Sequence, residues 1–332
     1  MGSHLDTQPA GGRYDGILGV QAALEVLGML HENKVETYCP VALVDGTNEE
    51  GARFPGAMMA SGVWSTKSST PLEACWTIQD KEGVLMMQAL KDNGYLGATP
   101  CDYRENGLEC HFELHIEQGL YWNEQGMQWF AVRVTGVEGH SGTTPMTGRS
   151  DALVTASRLI TAVRDTALRT ELGVATVGVI NSDTSQATIP ASIDFIIDIR
   201  CSTDEMVEEL ATQIFQAFDA IISQENNGTA SEIKRTWGLP ESKFHENCIK
   251  AARVSALMEV DEHQIMDMKS RAGHDSAWTS RVCPTSMIFV PSKDGILHNP
   301  NEYTSPENCA LGAQILLLSV LRYDYHARLG AY

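Results

Sequence analysis

Residues 2–20 read GSHLDTQPAGGRYDGILGV, a polar, glycine-rich segment that leads directly into an apolar one. The polar part is typical of a loop that leaves a strand, and residues 17–32 carry apolar side chains at helical spacing. Residues 40–45 then form a short apolar run that predicts a buried strand, and the polar loop TNEEG follows it. This order of elements predicts an α/β fold, with a mixed sheet, helices on both of its faces and functional loops at the strand ends.

The middle of the chain follows a different pattern, in which strands are predicted at 129–136, 174–180 and 191–200. A helix is predicted at 150–169, and Ser202 with Glu205 forms a potential capping box ahead of a second helix. Together these elements predict a compact α+β unit.

After this unit a helix–strand–loop–helix pattern returns, and Ser305 and Pro306 are suited to open the last helix. We therefore predict a catalytic domain in two parts, residues 1–125 and 239–332, interrupted by an inserted α+β domain at 126–238.

Composition narrows the class of protein. The chain has 332 residues and a formal charge of −19, which disfavours nucleic acid as a partner because phosphates would be repelled. No window approaches the ~20 apolar residues that span a bilayer, so no membrane partner is expected, and no secretory signal is recognised at the start. The eight cysteines are scattered without a C-x-x-C pair, which predicts reduced thiols and a cytoplasmic location.

Several loops carry groups that could bind metal. His4 and Asp6 lie two apart in an extended segment, so the imidazole can bind a metal ion while the carboxylate orients a ligand imidazole. Asp15 lies in a tight YDG turn, and the adjacent Glu49 and Glu50 point in different directions, so that one can bind metal while the other faces the substrate. Histidines at 111, 115 and 298 complete the set.

Each of these features alone has a simpler explanation. A single histidine is more often a hydrogen-bonded structural residue than a ligand, and a Glu–Glu pair is usually part of a solvated surface. However, the groups all lie in glycine-rich loops near strand ends, where functional residues gather. Imidazole and carboxylate ligands without thiolates favour a catalytic zinc or manganese site over a structural one.

Seven motifs together resemble the family of N-carbamoyl-L-amino-acid hydrolases, β-ureidopropionases (β-alanine synthases) and allantoate amidohydrolases. This family belongs to the clan of di-zinc aminoacylases and carboxypeptidases. The resemblance runs in order along nearly the whole chain, through GSHLDTQPAGGRYDGILGV, TNEEGARFP, SGVW, HFELHIEQG, HSGTTPMTGRSDA, AGHDS and MIFVPSKDGILHNP.

The resemblance implies two divalent metal ions per chain, with zinc expected and manganese, cobalt or nickel as alternatives. One ion would be held by His4, Asp15 and His115. The other would be held by Glu50, His298 and the same Asp15, which bridges. Glu49 would be the general base towards a water held between the ions, with Asp6 supporting the ligands.

The resemblance also implies residues that contact the substrate. His140 would hydrogen-bond the developing oxyanion, Arg200 would clamp the substrate carboxylate, and Gln118 would contact the carbamoyl end. Without the family, Arg200 is more simply a surface arginine at the end of a strand. His274 and Asp275 match a family motif and are interpreted as supporting residues. The inserted domain would form a homodimer and act as a mobile lid.

The sequence departs from the family pattern at four places. Family members carry a further segment before GSHLDT and a longer stretch between the EQG motif and the strand that begins at QGMQW. Ala187 stands where the family usually has a substrate-binding asparagine. Gly46 replaces the usual tryptophan before TNEEG, and Arg271 replaces a glycine. These departures suggest a shortened chain with an internal deletion, whose activity could be impaired.

The leading hypothesis is therefore a metal-dependent amidohydrolase that cleaves the carbamoyl C–N bond of an N-carbamoyl amino acid or a related ureido acid. Allantoate amidohydrolase is an alternative within the family, and aminoacylase or dipeptidase is an alternative within the clan. A different class of protein, a truncated and inactive remnant that still binds metal, is the competing hypothesis.

Overall fold

The structure is a computed structural model, and it describes residues 1–68, 70–117, 126–170, 173–182, 184–268 and 273–331. The chain divides into two compact units. Unit 1 comprises Met1–Asn123 and Ser242–Tyr332, and unit 2 comprises Glu124–Glu241. Helices and strands occur in both units, which confirms the predicted α/β class.

The described strands are β1 (Gly2–Ser3), β2 (Val44–Asp45), β3 (His111–Ile116), β4 (Gly126–Thr135), β5 (Gly139–His140), β6 (Gly173–Asn181), β7 (Thr188–Ile189), β8 (Ser192–Cys201), β9 (Ala230–Leu239) and β10 (Thr285–Val290). The described helices are α1 (Ile17–Glu32), α2 (Met59–Ser65), α3 (Leu72–Cys75), α4 (Met86–Asp92), α5 (Ala152–Ala167), α6 (Asp204–Glu225), α7 (Glu246–Ala256), α8 (Asp275–Thr279) and α9 (Pro306–Arg328). Short 3₁₀ turns lie at Glu262–Gln264 and Lys293–Gly295.

Unit 1 is built on two parallel strand pairs, β1 with β2 and β3 with β10. Helices α1, α7 and α9 supply most of the apolar residues that pack against β3 and β10. In β3 the side chains alternate, so that Phe112, Leu114 and Ile116 enter this core while the histidines and Glu113 occupy the other face. Both faces of β3 are buried. One face therefore stabilises the unit and the other is available for polar chemistry.

The helix predicted at 17–32 has the predicted bounds, and Ser305 caps the last helix with Pro306 at its first turn, as predicted. The prediction of a buried strand over 40–45 is wrong in extent and burial. Only Val44–Asp45 pairs as a strand, and both residues are exposed. The prediction of burial rested on apolar character alone, and a short apolar run does not show which other residues of the fold will pack over it.

Unit 2 is a four-stranded antiparallel sheet in the order β6-β8-β4-β9, packed against α5 and α6. β8 alternates strictly, and its Ile193, Phe195, Ile197 and Ile199 are fully buried beneath the helices. A separate two-stranded pair joins β5 to β7. The apolar face of β8 thus fixes which side of the sheet the helices cover.

The edge strand β9 is absent from the sequence-based prediction, which placed the end of the inserted domain at 238. Five of the ten residues of β9 are exposed, three of them in succession at 234–236, so the alternation of an amphipathic strand is faint there. Its register places Trp237 opposite Trp129 of β4, and the two indole rings lie 4.6 Å apart at 37°. The register shifts directly after this pair, between Trp129 and Phe130, where Thr236 is the extra residue of β9.

The predicted capping residue of α6 is wrong by one position. Thr203, not Ser202, is the N-cap, and its side chain accepts a hydrogen bond from the Met206 amide. All eight cysteines lie in the described part of the chain and are free thiols. In the same part, no helix combines the length and apolar character that crossing a bilayer requires.

Candidate metal centre

Asp15 is the centre of a cluster of buried polar side chains in unit 1. It lies in the loop that precedes α1, and the residue is 3% exposed. Its Oδ1 atom lies 3.0 Å from His115 Nε2 and 3.9 Å from His4 Nε2. Its Oδ2 atom instead lies 3.3 Å from His298 Nε2. The two oxygens of one carboxylate therefore face two different sets of side chains.

These sets form two groups that could each hold a metal ion, His4–Asp15–His115 and Asp15–Glu50–His298. In each group the ligand atoms lie within 4.8 Å of one another. In the second group Glu50 Oε2 lies 3.1 Å from His298 Nε2. Ligands on a tetrahedral zinc ion, with bonds of about 2.1 Å, stand about 3.4 Å apart, so the observed spacings suit an ion in each group.

The fold brings these residues together because each follows or ends a parallel strand. His4 follows β1, His115 lies near the end of β3, and Glu50 lies in the loop after β2. His298 lies in the loop after β10 with a φ of 54°, a left-handed conformation that non-glycine residues seldom adopt. Parallel strands place their carboxyl ends at one edge of a sheet, where sites gather.

The charges of the cluster depend on one another. Burial alone would raise the pKa of Asp15, but hydrogen bonds from His115 and His298 outweigh it and hold the pKa well below its usual range. The partners Asp15 and Glu50 raise the pKa of His298 to about 10. Burial acts to lower the pKa of His115, yet Asp15 raises it overall. Without metal, Asp15 therefore favours the protonated forms of the His115 and His298 imidazoles.

Donor chemistry is the test of whether these residues suit metal ions. The cluster offers imidazole nitrogens and carboxylate oxygens, the ligand types of catalytic zinc and manganese sites. The Glu50 Oε1 atom is buried and has no hydrogen-bond partner within the described residues. A cation would satisfy this oxygen, so the residues suit divalent ions.

Glu49 lies beside the cluster and is 5% exposed. Its Oε2 atom is 3.6 Å from His4 Nε2. Burial raises the pKa of Glu49 well above the usual value, and the negative charges of Asp275 and Glu50 raise it further. A raised pKa makes the carboxylate a stronger proton acceptor, which suits a general base.

Asp6 holds the loop that carries Glu49 and Glu50. Its two carboxylate oxygens accept the backbone N–H groups of Glu49 at 3.1 Å and of Glu50 at 3.0 Å. His4 Nδ1 is held at 2.8 Å by the Asp6 main-chain carbonyl, while the Asp6 carboxylate lies 4.0 Å away. The main-chain carbonyl of Asp6 therefore orients the His4 ring, whereas the Asp6 carboxylate binds the loop that carries Glu49 and Glu50.

Other polar contacts of the cluster were not recognised in the sequence. Gln8 donates from Nε2 to both the side chain and the main-chain oxygen of Glu50. Glu113 is fully buried and accepts hydrogen bonds from the hydroxyls of Ser3 and Ser276. The signal for Glu113 was present, since the period of two in HFELHI places it on the same face as His115.

Of the three predicted substrate residues, one lies outside the described residues and two belong to unit 2. Gln118 lies outside the described residues. His140 belongs to unit 2, is exposed, and its Nδ1 accepts the backbone N–H groups of Gly142 and Thr143. Since Nδ1 accepts, the neutral ring carries its proton on Nε2 and can donate from there.

Arg200 also belongs to unit 2, where its guanidinium binds the Asp198 carboxylate on the same strand, with Nη2 and Oδ2 2.6 Å apart. The main-chain oxygen of Ala187 accepts a hydrogen bond from Ser141. Arg271 lies outside the described residues.

The supporting residues His274 and Asp275 are both buried in unit 1. The His274 ring stands 4.7 Å from that of His115, edge to face, and burial lowers its pKa to about 3. Ser61 donates a hydrogen bond to Asp275 Oδ1. Gly46 packs against Asp275, because a Cβ at position 46 would lie 1.8 Å from Asp275 Oδ2.

Comparison with known proteins shows to which family the chain belongs. The model of peptidase family M20/M25/M40 matches residues 1–322. The chain belongs to this family. An M20 relative, the N-carbamoyl-L-amino-acid amidohydrolase of Rhizobium meliloti, is 34% identical over 334 residues, covering 97% of this chain and 78% of the relative. The allantoate amidohydrolase of Bacillus subtilis is 31% identical and is covered over 80% of its length.

A solved structure supports the same assignment. The amidase of the hydantoinase/carbamoylase family from Burkholderia vietnamiensis is 37% identical, with a TM-score of 0.88 over 97% of this chain and 79% of that chain. The predicted resemblance to the N-carbamoyl-amino-acid hydrolase family and the predicted fold class are thus confirmed. The predicted enzyme class, a hydrolase acting on C–N bonds other than peptide bonds, is confirmed at the level of the family.

Proposed function

We propose that the chain is a metal-dependent amidohydrolase that cleaves the carbamoyl C–N bond of N-carbamoyl amino acids or a related ureido acid. The observation that carries the proposal is the division of the Asp15 carboxylate between His4 and His115 on one side and His298 on the other. A carboxylate placed in this way suits a bridge between two cations. The named activities of the relatives supply the substrate class.

His4, Asp15 and His115 would hold one ion, and Asp15, Glu50 and His298 would hold the other. Zinc is the favoured ion, with manganese, cobalt or nickel as alternatives, since the donors are nitrogen and oxygen. When bound, two divalent ions lower the pKa of a water molecule and polarise a carbonyl oxygen.

Glu49 provides the proton transfer in this proposal. Its carboxylate takes a proton from the attacking water and later delivers it to the leaving nitrogen, a role that its raised pKa supports. For an N-carbamoyl amino acid, one water is consumed and the amino acid, carbon dioxide and ammonia are released. Asp6 keeps Glu49 and Glu50 in place through their backbone amides.

The residues predicted to contact substrate keep their proposed roles. His140 would donate from Nε2 to the oxyanion, Arg200 would bind the substrate carboxylate, and Gln118 would contact the carbamoyl end. We further propose a homodimer formed through residues 126–238, which sedimentation of the purified chain would test, and a cytoplasmic location.

Substrate comparison is the direct test. The zinc-, manganese- or cobalt-loaded chain is given N-carbamoyl-L-α-amino acids, N-carbamoyl-β-alanine and allantoate in turn, and released ammonia is measured. At least one should be hydrolysed, and the Glu49→Gln variant should lose about a hundred- to ten-thousand-fold in rate while it binds the same number of ions. Glu36→Gln, an exposed glutamate of the same unit, serves as the matched control and should retain full activity.

The proposal fails if the metal-loaded chain hydrolyses none of these compounds and Glu49→Gln behaves like the unaltered protein. Allantoate turnover without turnover of N-carbamoyl amino acids would instead select the allantoate branch of the same chemistry. The similarity to the Bacillus subtilis allantoate amidohydrolase is the reason to include that substrate.

A further inference from the structure

Glu302 is a buried glutamate that the reaction as described does not use. It is 5% exposed and lies four residues after His298, between the His298 loop and helix α9. Its Oε1 atom accepts the backbone N–H of Tyr14 at 2.9 Å and that of Asp15 at 3.0 Å. One carboxylate oxygen therefore holds the two peptide groups from which the Asp15 side chain projects.

The Asp15 loop is shaped to receive this carboxylate. A Cβ at Gly12 would lie 2.3 Å from Glu302 Oε1 and 2.5 Å from Glu302 Cδ, so only glycine lets the loop approach this closely. The other oxygen, Oε2, is buried and has no hydrogen-bond partner within the described residues. The contact is thus tight, desolvated and directed at one short segment of backbone.

We propose that Glu302 is a positioning residue that sets the bridging geometry of Asp15. The inference rests on the proposed metal centre. Because Oδ1 and Oδ2 of Asp15 face different ligand groups, a small rotation of its backbone would displace both oxygens at once. Loss of Glu302 would also remove a shared acceptor from the N–H groups of Tyr14 and Asp15, which favours rearrangement of the loop. Glu302 thereby couples the His298 loop to the shared ligand.

Unit 1 contains a matched control for this contact. Asp324, on α9, accepts the backbone N–H groups of Tyr38 at 2.8 Å and Cys39 at 2.7 Å. Like Glu302 it binds two successive amides, although through both of its oxygens and at a more exposed position, and neither of its partners is a candidate metal ligand. Removing Asp324 tests the general cost of losing such a contact.

Cobalt binding measures the proposed role without recourse to activity. The metal-free chain and its Glu302→Ala, Glu302→Gln and Asp324→Ala variants are titrated with Co²⁺. Bound ions are counted while the visible absorption of the cobalt is recorded. Glu302→Ala should lose roughly 10- to 100-fold in affinity for both ions together, with an altered spectrum. Glu302→Gln retains an acceptor oxygen and should restore binding. Asp324→Ala should lower the melting temperature and leave the cobalt affinity and spectrum unchanged.

The proposal is overturned if Glu302→Ala binds two cobalt ions with unaltered affinity and spectrum, or if Asp324→Ala weakens binding equally. If Glu302→Ala does not fold, Gly12→Ala replaces it, since the added methyl displaces Glu302 without removing it. Normal cobalt binding by Gly12→Ala would then overturn the proposal. An unaltered chain that binds no cobalt refutes the metal centre and this role with it, whereas normal binding by all variants refutes this role alone.

Discussion

At the scale of single residues, Asp15 differs from the other candidate ligands because it belongs to both groups. Asp15→Ala should therefore weaken binding of both ions by more than about 100-fold, since it removes a direct ligand from each. His298→Ala removes a ligand from one group only, and should leave one tightly bound ion per chain. Metal analysis after dialysis against buffer with a known free zinc concentration measures both results.

His4→Ala is the control for the other group and should also leave one ion. Equal loss of both ions in Asp15→Ala, His298→Ala and His4→Ala would contradict the assignment of two separate groups that share one residue.

A pH dependence follows from His298 in the metal-free chain. Asp15 and Glu50 raise its pKa to about 10, above the unfolded value of about 6.5. The protonated imidazole therefore stabilises the fold fully below about pH 6.5, and this contribution is lost as the pH rises through about 10. The difference in melting temperature between the chelated protein and chelated His298→Ala should be largest near pH 6 and vanish near pH 10. A difference that does not change over this range would contradict the interpretation.

The sequence predicts which side chains could meet but not which atoms support them. His4, Asp15, Glu50, His115 and His298 were recognisable because their motifs resemble a known family and lie in loops at strand ends. Gln8 and Glu302 were not predicted, because a hydrogen bond between a side chain and a distant backbone carbonyl or N–H group leaves no pattern in the sequence. Their roles depend on loop paths that only the folded chain defines.

At the scale of elements, the start of α6 offers a test of local structure. Thr203 is the N-cap and accepts the Met206 amide, whereas the buried Ser202 hydroxyl has no partner within the described residues. Thr203→Ala should lower the free energy of unfolding by about 1 kcal/mol. Ser202→Ala should change it little, because no hydrogen bond is removed. Urea unfolding of both variants measures the two values, and a larger loss in Ser202→Ala would restore the capping box predicted from the sequence.

Element prediction succeeded where one face is strongly apolar and failed where it is not. The alternation in β8 and the helical spacing in α1 are unambiguous because burial selects the residues on one face. The edge strand β9 was not predicted, because half of its residues are exposed and no single face of it is strongly apolar. Its backbone pairs with β4 alone. The N-cap of α6 was assigned to Ser202 instead of Thr203 for a related reason. Both residues carry a hydroxyl group, and the sequence does not distinguish which of them caps the helix.

At the scale of the whole molecule, all candidate metal ligands lie in unit 1 while unit 2 has its own apolar core. Metal should therefore slow amide hydrogen exchange in β3 much more than in β8. A free ion concentration about 100 times Kd raises the opening free energy by about 2.7 kcal/mol for segments whose opening releases the ion. Exchange mass spectrometry of peptides from the two strands, with metal and with chelator, measures this. Equal protection of β8 would show that the two units open together.

The arrangement of the whole chain was predictable only through resemblance. The order of predicted elements indicates that an α+β segment interrupts an α/β pattern. However, hydrophobic periodicity alone does not predict that His4 and His298 lie near the same carboxylate. Parallel strands separated by long connections bring such residues to one edge, and the pairing of β3 with β10 across more than half of the chain is a long-range choice. The hydrophobic pattern allows this pairing without specifying it.

The stacked pair Trp129 and Trp237 gives unit 2 an optical signature of its own. Two indoles 4.6 Å apart and tilted by 37° couple their electronic transitions, which produces a paired positive and negative band in far-ultraviolet circular dichroism. The coupling weakens steeply as the two rings separate, so the band diminishes once β9 detaches from β4. The molecule thus carries a label-free reporter of one edge strand, readable while the chain is heated, diluted or stripped of metal.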